Sequence, residues 1–273
     1  MTSILTVKQI VMARADECAK IIGDRFLPSV KIIYGVVGNA PTAIGSCFFL
    51  RVAGQAFLVT AAHVIDQNKY TSLLVGDINS LITIEGDFNI TVAPDSNRNK
   101  DLYDFAFWKM SEPMLKKVTS LQCIEEDQVS HNRGRLDGRQ FLAMGYPHSQ
   151  NSEINTSELK VKAAAWTYQG IHVENAALAE KLGISGTDHF FIKFEKLSGN
   201  YHGAIYESTN PTGISGGVLL DLCLPDPAHL SENSPCIGLL AGIGIEHHAD
   251  FDAMVFVRIE LVIEKIRQSL SST

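Results

Sequence analysis

The sequence predicts a mainly β protein, built from many short antiparallel strands and bracketed by two amphipathic helices. Short apolar or alternating runs, cut by Gly, Asp and Asn, recur from residue 29 onward. A helical stripe opens the chain and another closes it. With 273 residues and 45% hydrophobic content, the chain can bury a real core.

The first stripe carries Val7, Ile10, Val11, Cys18, Ile21 and Ile22, with charges between. It predicts a helical extension over 1–28, whose role is packing on the body or, alternatively, docking a regulatory partner protein. Over 29–124, "SVKIIYGVVG", "IGSCFFLRVAG", "QAFLVTAAHVI", "SLITIEGD" and "YDFAFWKM" read as strands, and Gly54-Gln55 fits a hairpin turn. Residues 125–139, "EEDQVSHNRGRLDGR", are polar and glycine-broken, as a linker between halves would be. Strand texture resumes over 140–258 in "QFLAMGYP", "LKVKAAAWTYQ", "HFFIKFEKL", "GVLLDL" and "CIGLLAGIGI". One helix, "ENAALAEKL", interrupts it and ends at Gly183, a suitable left-handed cap. Val262, Ile263, Ile266 and Leu270 then line one face of a helix over 259–273.

A net charge of −7 with no Lys/Arg run gives no electrostatic reason for a nucleic-acid or membrane partner. No apolar run reaches transmembrane length, and the N-terminus lacks the pattern of a signal peptide. Five scattered cysteines form no CxxC pair. The simplest expectation is a cytoplasmic protein with reduced thiols and no cofactor.

The chemistry gathers at "STNPTGISGGVLLDL", residues 208–222. A turn with Gly before and after Ser215 can aim the amides of Gly213 and Ser215 into one concavity, where a developing oxyanion would sit. A near-copy, Gly183-Ile184-Ser185-Gly186, follows the predicted helix end and reads as a cap loop. A serine needs a base to accept its proton. His63 stands at the end of the apolar run "FLVTAAHVI", behind the small residues Thr60, Ala61 and Ala62. Asp104 opens "DFAFW" at a strand mouth, with Asp101 as its competitor for the carboxylate role.

Taken together, "VTAAHV", "DFAFW" and "GISGG", in the order His, Asp, Ser, resemble the trypsin/chymotrypsin-like serine proteases over roughly residues 29–258. "GYP" at 145–147 looks like the segment opening the second barrel in the bacterial, HtrA-like branch. The resemblance implies two six-stranded antiparallel β-barrels, the first carrying His63 and Asp104, the second Ser215. It implies a serine endopeptidase acting on protein or peptide substrates through His63, Asp104 and Ser215, with Gly213 and Ser215 amides as the oxyanion hole. It assigns the base of the side-chain pocket to Thr209 and substrate-strand pairing to Ala241, Gly242 and Ile243.

The chain departs from the secreted digestive members at two places. Ile214 stands where they carry the Asp that pairs with a new N-terminus, so that zymogen switch is not expected. Val64 stands where they carry a Cys, leaving Cys47 without that partner. From the HtrA-like architecture it departs in another way: no PDZ-like region is read after the barrels, only a short helix. Thr209 gives no basis for a taste for Lys or Arg; a small or apolar residue fits better. The rival readings are a catalytically idle module that binds peptides or a partner, and a metal site in "IEHHADFD" at 245–252. Neighbouring side chains on an extended segment point apart, so no metal is expected there.

Overall fold

The computed structural model describes residues 6–37, 40–77, 80–117, 121–134, 136, 138–151, 163–199, 205–224, 230–231 and 233–272. Its strands are β1 (Val30–Val37), β2 (Ala40–Val52), β3 (Gln55–Ala61), β4 (Leu74–Asp77), β5 (Ser80–Thr83), β6 (Asn89–Ile90), β7 (Phe105–Lys109), β8 (Gln140–Gly145), β9 (Trp166–Ile171), β10 (His189–Lys193), β11 (Leu197–Gly199), β12 (Ile205–Glu207), β13 (Val218–Asp221), β14 (Leu239–His248) and β15 (Ala253–Arg258). Its α-helices are α1 (Val7–Phe26), α2 (Ala62–Asp66), α3 (Glu112–Leu115), α4 (His148–Asn151), α5 (Ala176–Leu182) and α6 (Ile259–Ser271).

Two antiparallel sheets hold the molecule. The first runs β5-β4-β1-β2-β3-β7-β6, a curled sheet of seven strands where six were expected. The second runs β10-β15-β14-β13-β8-β9 and closes on itself. His172 bridges Ile192, and the Val173 amide donates to the Phe191 carbonyl at 2.9 Å. Closure removes the exposed edges that would otherwise invite pairing with another chain. Together the sheets and flanking helices agree with a chymotrypsin-like double barrel.

The segment between the sheets is tied to both. The Ile124 amide donates to Phe49 of β2 at 2.8 Å, and the Ser130 amide to Leu240 of β14 at 2.8 Å. The β2–β3 hairpin turns one residue earlier than expected, on Ala53 (φ 48°) and Gly54 (φ 75°). A two-residue turn whose twist matches the strands needs φ > 0 at both positions, and Gly54 supplies one at little cost.

Helix α1 begins with a reciprocal cap: the Gln9 amide donates to Thr6 Oγ1, and the Thr6 amide to Gln9 Oε1 at 2.9 Å. Its buried face is Ala15, Cys18, Ala19, Ile22 and Phe26, while Ile21 is 46% exposed. The apolar stripe is thus rotated from the one the largest residues suggest, because the helix lies on β8 and β9, where small side chains allow close approach. In α6, Val262, Ile263 and Ile266 are buried as the spacing predicts.

The expectation of reduced thiols does not hold for two cysteines. Cys18 of α1 is disulfide-bonded to Cys236, 218 positions away. Arg14 and Arg25 of α1 donate to carbonyls of the same loop, at Ser234 and at Ile237 and Gly238. Such bonds form and persist under oxidising conditions. No helix among the described residues is long and apolar enough to cross a membrane.

Removing the crosslink frees a loop of more than two hundred residues in the unfolded chain. Reductant, or Cys236→Ser, is expected to lower unfolding stability by about 2–5 kcal/mol. Urea denaturation with and without reductant checks this; identical midpoints would show that the bond adds nothing.

Candidate active site

His63 lies in the first turn of α2, directly after β3, and Asp104 lies just before β7, the neighbour of β3. That pairing brings them together. The Ala62 amide donates to the Asp104 carbonyl at 2.9 Å, and the His63 amide to Asp104 Oδ1 at 2.9 Å. His63 Nδ1 and Asp104 Oδ2 are 2.5 Å apart. Asp104 adopts φ 42°, a left-handed conformation that Asp tolerates better than most residues. This turn points both its carboxylate oxygens at His63. With Nδ1 committed to the carboxylate as donor, Nε2 is left as the acceptor of the neutral ring.

Asp101 is otherwise engaged. Its Oδ2 accepts from Thr91 Oγ1 and from Arg98, and its Oδ1 accepts from the Tyr103 amide at 3.1 Å. Arg98 also donates to Asp66 Oδ2 at 2.8 Å and the Thr91 carbonyl at 2.9 Å, and stands 4.0 Å from Asp104 Oδ1. Sequence reasoning did not find this arginine; its place in a polar loop gave no signal.

Burial pulls the His63 imidazole toward its neutral form, but the bond and charge of Asp104, aided by Glu246, outweigh it and raise its pKa. Burial also holds Asp104 above the usual carboxylate range, although the His63 bonds oppose this. Both shifts run upward, so the pair holds a proton tightly. The contact distance accounts for the histidine, the 3% exposure of Asp104 for the acid.

Ser215 sits on a tight turn before β13. The Thr212 carbonyl accepts from the His148 amide at 2.9 Å, and the Ile214 carbonyl from the Gly217 amide at 2.7 Å. In a trans peptide the N–H opposes the C=O, so these bonds fix the directions of the Gly213 and Ser215 amides. Neither amide donates to a protein acceptor among the described residues. Gly213 has φ 98°, and a Cβ there would lie 2.6 Å from the His148 nitrogen. Ile214 is buried in an apolar cluster of the second sheet that includes Ala143 and Phe256.

His63, Asp104, Gly213 and Ser215 all line one cleft of about 560 Å³, with Arg98, Leu182, Val255 and Phe256. Ser215 Oγ donates to the Ile245 carbonyl at 3.4 Å and makes no hydrogen bond to His63. Ser185 lies in the loop after α5, its hydroxyl accepting from the Thr187 amide at 3.0 Å, apart from the cleft.

Ala241, Gly242 and Ile243 are not on a free edge. They sit between β13 and β15, paired on both sides or buried. β13 ends its pairing at Ile243, and the free stretch of β14 that lines the cleft is 245–248, displaced by four residues. Its uniform apolar texture hid where the partner strand stops. Thr209 accepts from Gln150 Nε2 at 2.9 Å and lines a separate cavity beside α1. In the 245–252 segment, His248 Nε2 pairs with Glu246 at 2.6 Å and His247 packs edge-on against Phe194. Alternation along the strand separates the two histidines, and no group of three metal-ligating side chains converges among the described residues.

These features define a trypsin/chymotrypsin-like serine protease fold. The solved serine endoprotease from Yersinia pestis is 16% identical with a TM-score of 0.52, over 97% of this chain and 67% of that one. The structure of GrC is 15% identical with a TM-score of 0.53, over 89% of this chain and 94% of that one. At these identities the likeness is one of fold. No family model and no curated protein matches the sequence.

Because Asp104 raises the His63 pKa, the imidazolium favours the folded state. That contribution is complete below the unfolded value of about 6.5 and is lost as pH rises through the higher folded value. His63 is expected to titrate above the ordinary histidine range by NMR, and Asp104→Asn to bring it down. An unmoved titration in the variant would break the proposed coupling.

Proposed function

We propose that the chain is a serine endopeptidase using His63, Asp104 and Ser215. The observation that carries this reading is the Asp104-anchored His63 facing the same cleft as Ser215, whose turn keeps two amides uncommitted. His63 Nε2 takes the Ser215 hydroxyl proton as Oγ attacks a peptide carbonyl carbon. The Gly213 and Ser215 amides receive the oxyanion. Collapse of the tetrahedral species breaks the C–N bond, and the imidazolium returns its proton to the leaving amine. Water then attacks the acyl-enzyme by the same route.

The substrate adds as a strand along residues 245–248. Val255 and Phe256 give the cleft an apolar wall, which supports an uncharged residue at the cleavage site. Thr209 plays no part in this reading.

A second reading is favoured by one observation: Ser215 Oγ is bonded to the Ile245 carbonyl rather than to His63. A partner- or substrate-activated module would rest in this state.

A fluorophosphonate label decides between them. Labelling of the purified chain that vanishes in Ser215→Ala is expected, with Asp104→Asn lowering turnover of a peptide substrate about 10⁴-fold. Labelling that survives Ser215→Ala would overturn the nucleophile assignment. Absence of labelling in the native chain would select the activated module.

A further inference from the structure

A cavity of about 830 Å³ lies apart from the cleft, between Arg133, Gly134 and Leu136, the start of α5, and Gly186 and Thr187. Its buried charged residue is Arg258, the last of β15, only 6% exposed. The guanidinium lies over the Phe190 ring at 4.4 Å, and one Nη reaches the Asn132 carbonyl at 3.4 Å. Its Nε is buried with no hydrogen-bond partner. No carboxylate oxygen stands within 4.0 Å of it among the described residues. The cavity's other described arginine, Arg133, is paired with Glu260 at 3.2 Å.

A guanidinium does not shed its proton at ordinary pH, so Arg258 carries a buried charge with no ion-pair contact among the described residues. Such a charge is costly unless something pairs with it. Burial lowers its pKa and Arg133 acts in the same direction, while Glu260 and Asp188 oppose this only through space. Much of the remaining wall is apolar, with Leu136, Val173 and Phe191. At the rim, Glu174 is exposed and disfavours a ligand of high negative charge.

We propose that this cavity binds a small organic carboxylate, its acid group paired with Arg258 and its apolar body against Leu136, Val173 and Phe191. The near-copy of the nucleophile turn thereby acquires a place, since Gly186 and Thr187 form one wall. The proposal is independent of the chemistry at Ser215.

The test titrates the full chain with phenylbutyrate, phenylbutyramide and inorganic phosphate, following the Arg258 Nε–H resonance and the melting temperature. Phenylbutyrate is expected to saturate at millimolar concentration and raise the melting temperature. The neutral amide and phosphate are expected to bind at least about tenfold more weakly, as is phenylbutyrate to Arg258→Met. Ala176→Trp, at the exposed mouth, should weaken binding without touching Arg258, and decides the matter if Arg258→Met does not fold. Equal binding of the amide or phosphate, affinity unchanged in both variants, or no saturable response to the carboxylate would overturn the proposal.

Discussion

The arrangement at the cleft depends on one contact between the two sheets: the Ser46 amide of β2 donates to the Ser215 carbonyl at 2.8 Å. Ser46 is completely buried, and each of its polar groups is used there. Its carbonyl accepts from Thr60 Oγ1 at 2.7 Å, and its hydroxyl accepts from the Tyr146 amide at 2.8 Å. One residue of the first sheet thus grips the turn of the second and the strand end beside it. Space follows from this. A Cβ on Gly216 would lie 2.0 Å from the Ser46 carbonyl, so glycine there is a packing requirement as well as a conformational one.

Around this seam the charges are sorted by partner. Arg98 gathers Asp66 and Asp101, leaving Asp104 for His63. Two acids three residues apart therefore do different work: one fixes a loop, the other an imidazole. The separation costs a left-handed Asp104 backbone, which the Ala62 bond to its carbonyl helps to hold.

How legible all this was in the sequence depended on the range of the interaction. That His63, Asp104 and Ser215 line one cleft could be anticipated because each sits in a short local pattern at a strand end. The stripe of α6 was legible because large apolar residues mark it. The stripe of α1 was not, since Ala15 and Ala19 pack closely without looking apolar enough. The free edge beside the cleft lies four residues beyond the expected stretch because "GLLAGIGI" is apolar throughout, and only the end of β13 defines what is free. Nothing local could reveal the bond between Cys18 and Cys236, or Ser46's grip on a turn 169 positions later.

The Cys18–Cys236 bond also changes the topology of the chain. Residues 18 to 236 form a covalent ring that includes His63, Asp104 and Ser215. A single backbone cut anywhere inside that ring opens it but releases no fragment. Both pieces stay tethered at the disulfide, so a nicked molecule keeps the two sheets together and can re-form the seam at Ser46. For a chain surrounded by its own proposed activity, nicking and loss of structure are thereby separate events.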